Sequence, residues 1–252
     1  MHASRAAATR CAAAATVCLC VFAGAGAGVS AGAARADDNG IAGKSAQAIA
    51  DAARQAMSGA TSMRMAAKVT GGSGTTGLDL RFDERGNCVG TVVPPGGSGK
   101  AEIVKRGNDV WMKFDDALLR SRVPGGAADD AIALINGRFL HGTTGSFLLR
   151  DFADFCDLDF FRKEFPSKPA GEQVTKGPRT TVDGRPAITV TSRGDGGTGT
   201  YQVATEGKPY LLRLQGDDTA GERVEATFSA FDEPVPAKTP APADSVDLSQ
   251  LQ

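Results

Sequence analysis

Catalysis needs a base, an acid or a nucleophile set beside its partner, and such groups are sparse in this chain. Two histidines occur among 252 residues, His2 and His141. His2 lies in an N-terminal stretch that reads as an export signal, so His141 is the one imidazole left for the rest. Ser73 and Ser98 stand in Gly-Ser-Gly runs, which are turn composition, and no Gly-x-Ser-x-Gly elbow marks a nucleophile. Gly71-Gly72-Ser73-Gly74 lacks the Gly-Lys-Ser/Thr of a phosphate loop. The adjacent acids Asp115-Asp116, Asp129-Asp130 and Asp217-Asp218 lack calcium-loop spacing and read as solvated turns and helix starts. No catalytic residue, metal site or cofactor is therefore expected. A Ser-His-Asp triad assembled in space around His141 is the contrasting case, and it requires a serine hydroxyl within hydrogen-bond reach of the ring. Trp111 reads as core or cavity wall ahead of a platform for stacking a ligand.

The cysteines carry a different chemistry. Cys11, Cys18 and Cys20 fall in the N-terminal 36 residues, leaving Cys88 and Cys156 as an even pair. In an oxidising compartment they are expected to form one disulfide; the alternative is two buried free thiols. A bond closing a loop of about 68 residues removes on the order of 4 kcal/mol of unfolded-chain entropy in the chain-entropy model. The compartment is read from the first residues. Arg5 and Arg10 are followed by an Ala-rich apolar run, Ala12 to Val29, and then by Ala34-Arg35-Ala36, a small-x-small cleavage pattern. Residues 1–36 are expected to be a signal peptide, in preference to a membrane anchor, because Gly and Ser break the run and no charged stop-transfer flank follows it. Lipidation at Cys18 or Cys20 is the other alternative, with poor matches in the residues before each.

Without that segment, 28 basic residues less Arg5, Arg10 and Arg35 leave 25 against 29 acidic ones, a net charge of about −4. This balance, with no basic stripe, excludes nucleic acid as the expected partner.

The elements that would position any site follow from periodicity. Asp37 to Gly43 is polar and expected to be a flexible start. Ala46, Ile49, Ala50, Ala53 and Met57 recur at helical steps, predicting a helix over Ser45 to Met57 that Gly59 stops. From Ser62 the period becomes two. Short strands with Gly-rich turns run to Phe114, which predicts an antiparallel meander. Residues 115–165 show helical spacing in short pieces and hold seven of the twelve phenylalanines, so this insertion must cover something apolar. After Gly177 the two-residue period returns, with Asp183-Gly184 as a hairpin turn. Val224, Ala226 and Phe228 share one face and Glu225 and Thr227 the other, so the sheet has a dry and a wet side. Residues 233–252 form a Pro-rich, extended tail.

This order of elements carries specific stretches with it: 103–113 (IVKRGNDVWMK), 137–142 (GRFLHG), 182–188 (VDGRPAI) and 209–214 (PYLLRL). Together they resemble the LolA/LppX-like lipid-carrier superfamily, in its actinobacterial secreted and lipoprotein branch, over roughly residues 44–240. The resemblance implies an α+β fold: a half-open antiparallel β-barrel of about ten to eleven strands wrapped over the N-terminal helix and the insertion. The domain proper is then 44–232. It also implies an apolar cavity for acyl chains, and hence a non-enzymatic protein of the cell envelope that carries or sequesters a lipid or acylated ligand. A monomer with peripheral membrane contact is the expected form. The apolar strand faces offer Met63, Met65, Leu78, Leu80, Phe82, Val110 and Met112 as candidate lining residues, although an ordinary core would use the same ones. A closed core with no cavity of at least ~300 Å³ would exclude this reading. The alternative is an envelope interaction module with a collapsed cavity.

Overall fold

Ser45 begins the first long helix because its hydroxyl accepts the Ala48 N–H at 3.3 Å. The structure, a computed structural model, describes residues 37–250 apart from 97–98, 165–170 and 237. The expected signal peptide thus lies outside the described residues. Helix α1 spans Ala46–Ser58 and buries Ile49, Ala50, Ala53 and Met57, with Gly59 as its C-cap. The preceding stretch, expected to be a flexible start, makes defined contacts: the Asn39 side chain donates to the carbonyls of Ala204 and Gly207, and Ile41 is buried in a 3-10 turn.

Five strands follow: β1 (Ser62–Gly71), β2 (Gly74–Asp83), β3 (Cys88–Val93), β4 (Ala101–Arg106) and β5 (Asp109–Phe114). The insertion comprises α2 (Asp116–Arg122), α3 (Ala127–Ile135), β6 (Phe139–Thr143), α4 (Arg150–Ala153), a 3-10 turn at Asp154–Cys156 and α5 (Leu158–Glu164). The second meander is β7 (Gln173–Val182), β8 (Arg185–Gly194), β9 (Gly197–Ala204), β10 (Leu211–Asp218) and β11 (Arg223–Ser229); β12 (Ser245–Asp247) ends the tail. All twelve strands share one sheet in the order β12-β6-β5-β4-β3-β2-β1-β11-β10-β9-β8-β7. The sheet does not close: β7 and β12 are its edges. The fold is α+β, an open half-barrel.

The twelve strands are one or two more than the expected ten to eleven, and the two short ones, β6 and β12, each have a local reason. Segment 139–143 alternates Leu140 inward with His141 outward, and pairs Trp111 with His141 and Met112 with Leu140 on β5. The tail returns so that β12 runs parallel to β6, with Ser245 opposite Phe139 and Asp247 opposite His141. Neither segment is long enough to show a strand period alone.

β1 and β11 join the two meanders, from Arg64 opposite Ser229 to Thr70 opposite Arg223. The main core lies between the dry face of β1–β6 and the insertion, where Leu80, Phe82, Ile103 and Met112 meet Leu118, Leu149 and Leu158. The other side of α1 packs Ile49 and Ala53 on Ile188, Val190 and Val203. Arg54 on α1 pairs with the fully buried carboxylate of Glu172, which also accepts from Ser192 Oγ at 2.8 Å. Cys88 and Cys156 form the expected disulfide.

Candidate functional site

The site is assembled where β5 hands the chain to the insertion. Along β5 the pleat turns Val110, Met112 and Phe114 to the dry side and Lys113 to the wet one. Asp115 then caps α2: one carboxylate oxygen accepts the Leu118 N–H at 2.8 Å, and the other accepts the Lys100 N–H at 2.8 Å. One side chain thereby ties the helix start to the turn that enters β4. Gly99 makes room for it, since at φ +106° a Cβ would stand 2.2 Å from the Asp115 carboxylate. Arg120 reaches Asp129 at 2.8 Å and links α2 to α3. Asn136, at φ 49°, ends α3 in the left-handed region. Arg138 then donates to the carbonyls of Ile135 (3.1 Å) and Leu134 (2.8 Å), which the helix leaves unpaired.

These constraints leave a groove of about 680 Å³ between the sheet and the insertion. Val92, Phe114 and Leu140 form its sheet side. Leu119 and Ile135 come from α2 and α3, and Leu148, Phe152 and Phe155 from the segment that follows β6. The Phe152 ring meets Phe114 edge-on at 5.7 Å. The exposed large apolar side chains among the described residues are Val93, Leu134, Phe147, Leu148 and Phe155. Leu148 and Phe155 line the groove, and the other three are chain neighbours of residues that do. Phe147 is 82% exposed, an unusual position for a phenylalanine. A second cleft, about 780 Å³, lies between the tail and the wet face, with Lys113, Arg138 and Lys238 among its walls. Its polar lining suits an apolar ligand less well than the groove does.

The structure places the predicted lining residues elsewhere in the same core. Met63, Leu80, Phe82, Val110 and Met112 are at most 1% exposed and packed within it, and Met65 and Leu78 lie half-buried against it. Leu78 borders a shallow hollow with Ala67 and Leu214. None of the seven lines the groove. Its helical wall comes from the Phe-rich insertion, whose composition was the signal that pointed there. Phe161, also from the insertion, packs on Phe82 and Phe228 at ring distances of 6.3 and 5.6 Å.

His141 stacks flat on Trp111 on the wet face, with ring centroids 4.5 Å apart. Its Nε2 lies 3.3 Å from Asp109 and its Nδ1 3.8 Å from Asp247. Among the described residues its polar partners are carboxylates; no serine hydroxyl bonds to it. Trp111 is therefore committed to a cross-strand pair on the side away from the groove. The acid pairs serve as caps and turns: Asp116, Asp129 and Asp130 open helices, and Asp218 accepts backbone N–H groups in the β10–β11 turn. Among the described residues no group of three or more His, Cys, Asp or Glu is placed to hold a metal.

Comparison with known proteins yields likeness of fold only. LprF from Mycobacterium bovis superposes with a TM-score of 0.53 at 16% identity, covering 78% of this chain and 97% of that one. The lipoprotein LppX from Mycobacterium tuberculosis matches with a TM-score of 0.47 at 16% identity, over 80% of this chain and 100% of that one. A LolA superfamily protein from Nitrosomonas europaea matches at 0.27 and 11% identity, over 78% and 96%. No family model matches the chain, and no curated protein matches it in sequence. The likeness to LprF is one of fold, an open sheet wrapped over helices.

Proposed function

We propose that this chain is an extracytoplasmic binding protein without catalysis of its own, which carries or sequesters a lipid or acylated ligand by its acyl chain in the apolar groove. The observation that carries this reading is the groove itself. Its volume of about 680 Å³ falls within the ~300–1,000 Å³ of sites that take one small ligand, and two of its lining residues, Leu148 and Phe155, are exposed large apolar side chains. Each buried methylene contributes about 0.8 kcal/mol, so a chain burying roughly ten of them retains several kcal/mol after ordering costs. The extracytoplasmic part is supported by the signal-type residues 1–36 and by the Cys88–Cys156 disulfide, a bond that oxidising compartments preserve. Among the described residues no helix is long and apolar enough to cross a membrane.

The test is native mass spectrometry of protein secreted by its own host, followed by organic extraction and by titration of the stripped protein with acyl probes. A lipid mass that co-purifies with the wild type and is missing from Phe155→Asp supports the reading. Wild-type protein that carries no lipid and binds none of the added acyl probes would exclude it, leaving a partner-docking module of the envelope.

A further inference from the structure

Among the described residues fifteen line the groove, and of these Arg122 is the only charged one and Thr76 the only other polar one. No acid is among them. Arg122 closes α2, is exposed and lines the groove, a position from which a long cationic side chain can lay its stem on apolar surface and keep its head in water. Its neighbour Arg120 is engaged, pairing with Asp129 at 2.8 Å and Asp116 at 3.9 Å. Arg122 makes no hydrogen bond or ion pair with any described residue. A guanidinium at the mouth of an apolar groove presents a planar fork of donors that matches carboxylate or phosphate oxygens, and attraction there is screened less than on open surface.

Resting on the acyl-binding reading above, we infer that the groove selects anionic amphiphiles: the chain lies along Leu119 and Phe152, and a carboxylate or phosphate headgroup pairs with Arg122. A neutral lipid of the same chain fills the groove but leaves the guanidinium to water. Arg122 also stands in the last turn of a helix, where any cation is favoured by the exposed carbonyls. That structural role affects melting temperature and leaves ligand preference unchanged, so the two are separable.

The experiment titrates the stripped protein with pyrene-labelled hexadecanoic acid and its methyl ester, and with a pyrene-labelled monoacylglycerol phosphate and the matching monoacylglycerol. Wild type, Arg122→Gln and Arg122→Lys are compared. The expected result is at least about tenfold tighter binding of the anionic member of a pair, the size of one charge-assisted bond. Arg122→Gln removes that preference, Arg122→Lys keeps part of it, and the neutral probes bind all three proteins alike. Whichever pair shows the larger preference identifies the headgroup as carboxylate or phosphate. Equal binding within both pairs, or a preference that survives in Arg122→Gln, overturns the role of Arg122 while leaving the groove as an acyl site. Failure of all four probes to bind wild type overturns the acyl reading and this inference with it.

Discussion

Cys88 and Cys156 are bonded across 68 residues of sequence, with Cα atoms 5.7 Å apart. Cys88 opens β3 opposite Phe82, and Cys156 directly follows Phe155 of the groove. The bond therefore ties the groove's helical wall to the sheet that forms its other side. The double variant Cys88→Ser/Cys156→Ser is expected to lose on the order of 4 kcal/mol of unfolding free energy. Urea titration at equilibrium checks this. An unchanged midpoint would mean that packing of Leu149 and Leu158 alone seats the wall.

Gly99 and Asp115 form one device for starting α2. Asp115→Ala removes the cap and should cost about 1 kcal/mol. Gly99→Ala places a methyl against the carboxylate and the Leu118 N–H in a backbone region that L side chains avoid, and should cost about 1–3 kcal/mol. Because both act on the same cap, the double variant should lose less than the sum of the single losses. Strict additivity in thermal or urea melts would show that the glycine serves another purpose.

How much of this could be read from the residues depends on how local each cause is. Ser45 and Gly59 bracket α1 within the chain's own neighbourhood, and the helix starts and stops there. The alternation of Val224, Ala226 and Phe228 marks the dry face of β11 without reference to anything distant, and two cysteines leave only one intramolecular pairing. The groove is not local. Leu80 and Leu119 are equally apolar, yet one is sealed and the other lines a groove, because α2 and α3 cover part of the sheet and leave the rest. Strand periodicity identifies a face as dry and carries no information on what covers it. β12 escaped notice for a related reason: three residues of a Pro-rich tail become a strand only because β6 offers them an edge.

Asp232 is a source of acid sensitivity. Its carboxylate accepts from Lys208 Nζ (2.8 Å), the Tyr210 hydroxyl (2.6 Å), the Thr61 N–H (2.9 Å) and the Thr61 hydroxyl (3.1 Å). Burial pushes its pKa up, and the hydrogen bonds from Lys208, Tyr210 and Thr61 outweigh this and hold it well below the ordinary 3.8. A depressed folded-state value stabilises the fold above the unfolded value, and this contribution is lost as pH falls below 3.8 toward the folded value. Asp232→Asn should therefore destabilise at neutral pH by on the order of 1 kcal/mol and flatten the acid limb of the stability curve. Urea midpoints measured from pH 7 down to about pH 2 test both. Parallel acid limbs in the two proteins would remove Asp232 from the account.

The core and the groove make opposite demands on substitution, and this separates a carrier from a merely folded half-barrel. Leu80 is fully buried among close-packed neighbours, so Leu80→Ala should cost about 2–5 kcal/mol through lost burial and the cavity left behind. Its effect on acyl binding should be small once the protein is folded, since Leu80 does not line the groove. Leu119 lines the groove and is half-buried. Leu119→Trp projects extra volume into open space, so it should leave the melting temperature within about 2–4 °C of wild type while blocking the acyl chain. Paired measurements by differential scanning calorimetry and probe titration decide the matter. If Leu119→Trp binds the acyl probe as wild type does, the chain lies elsewhere. If it unfolds the protein, the wall of α2 is packed more tightly than a ligand site allows.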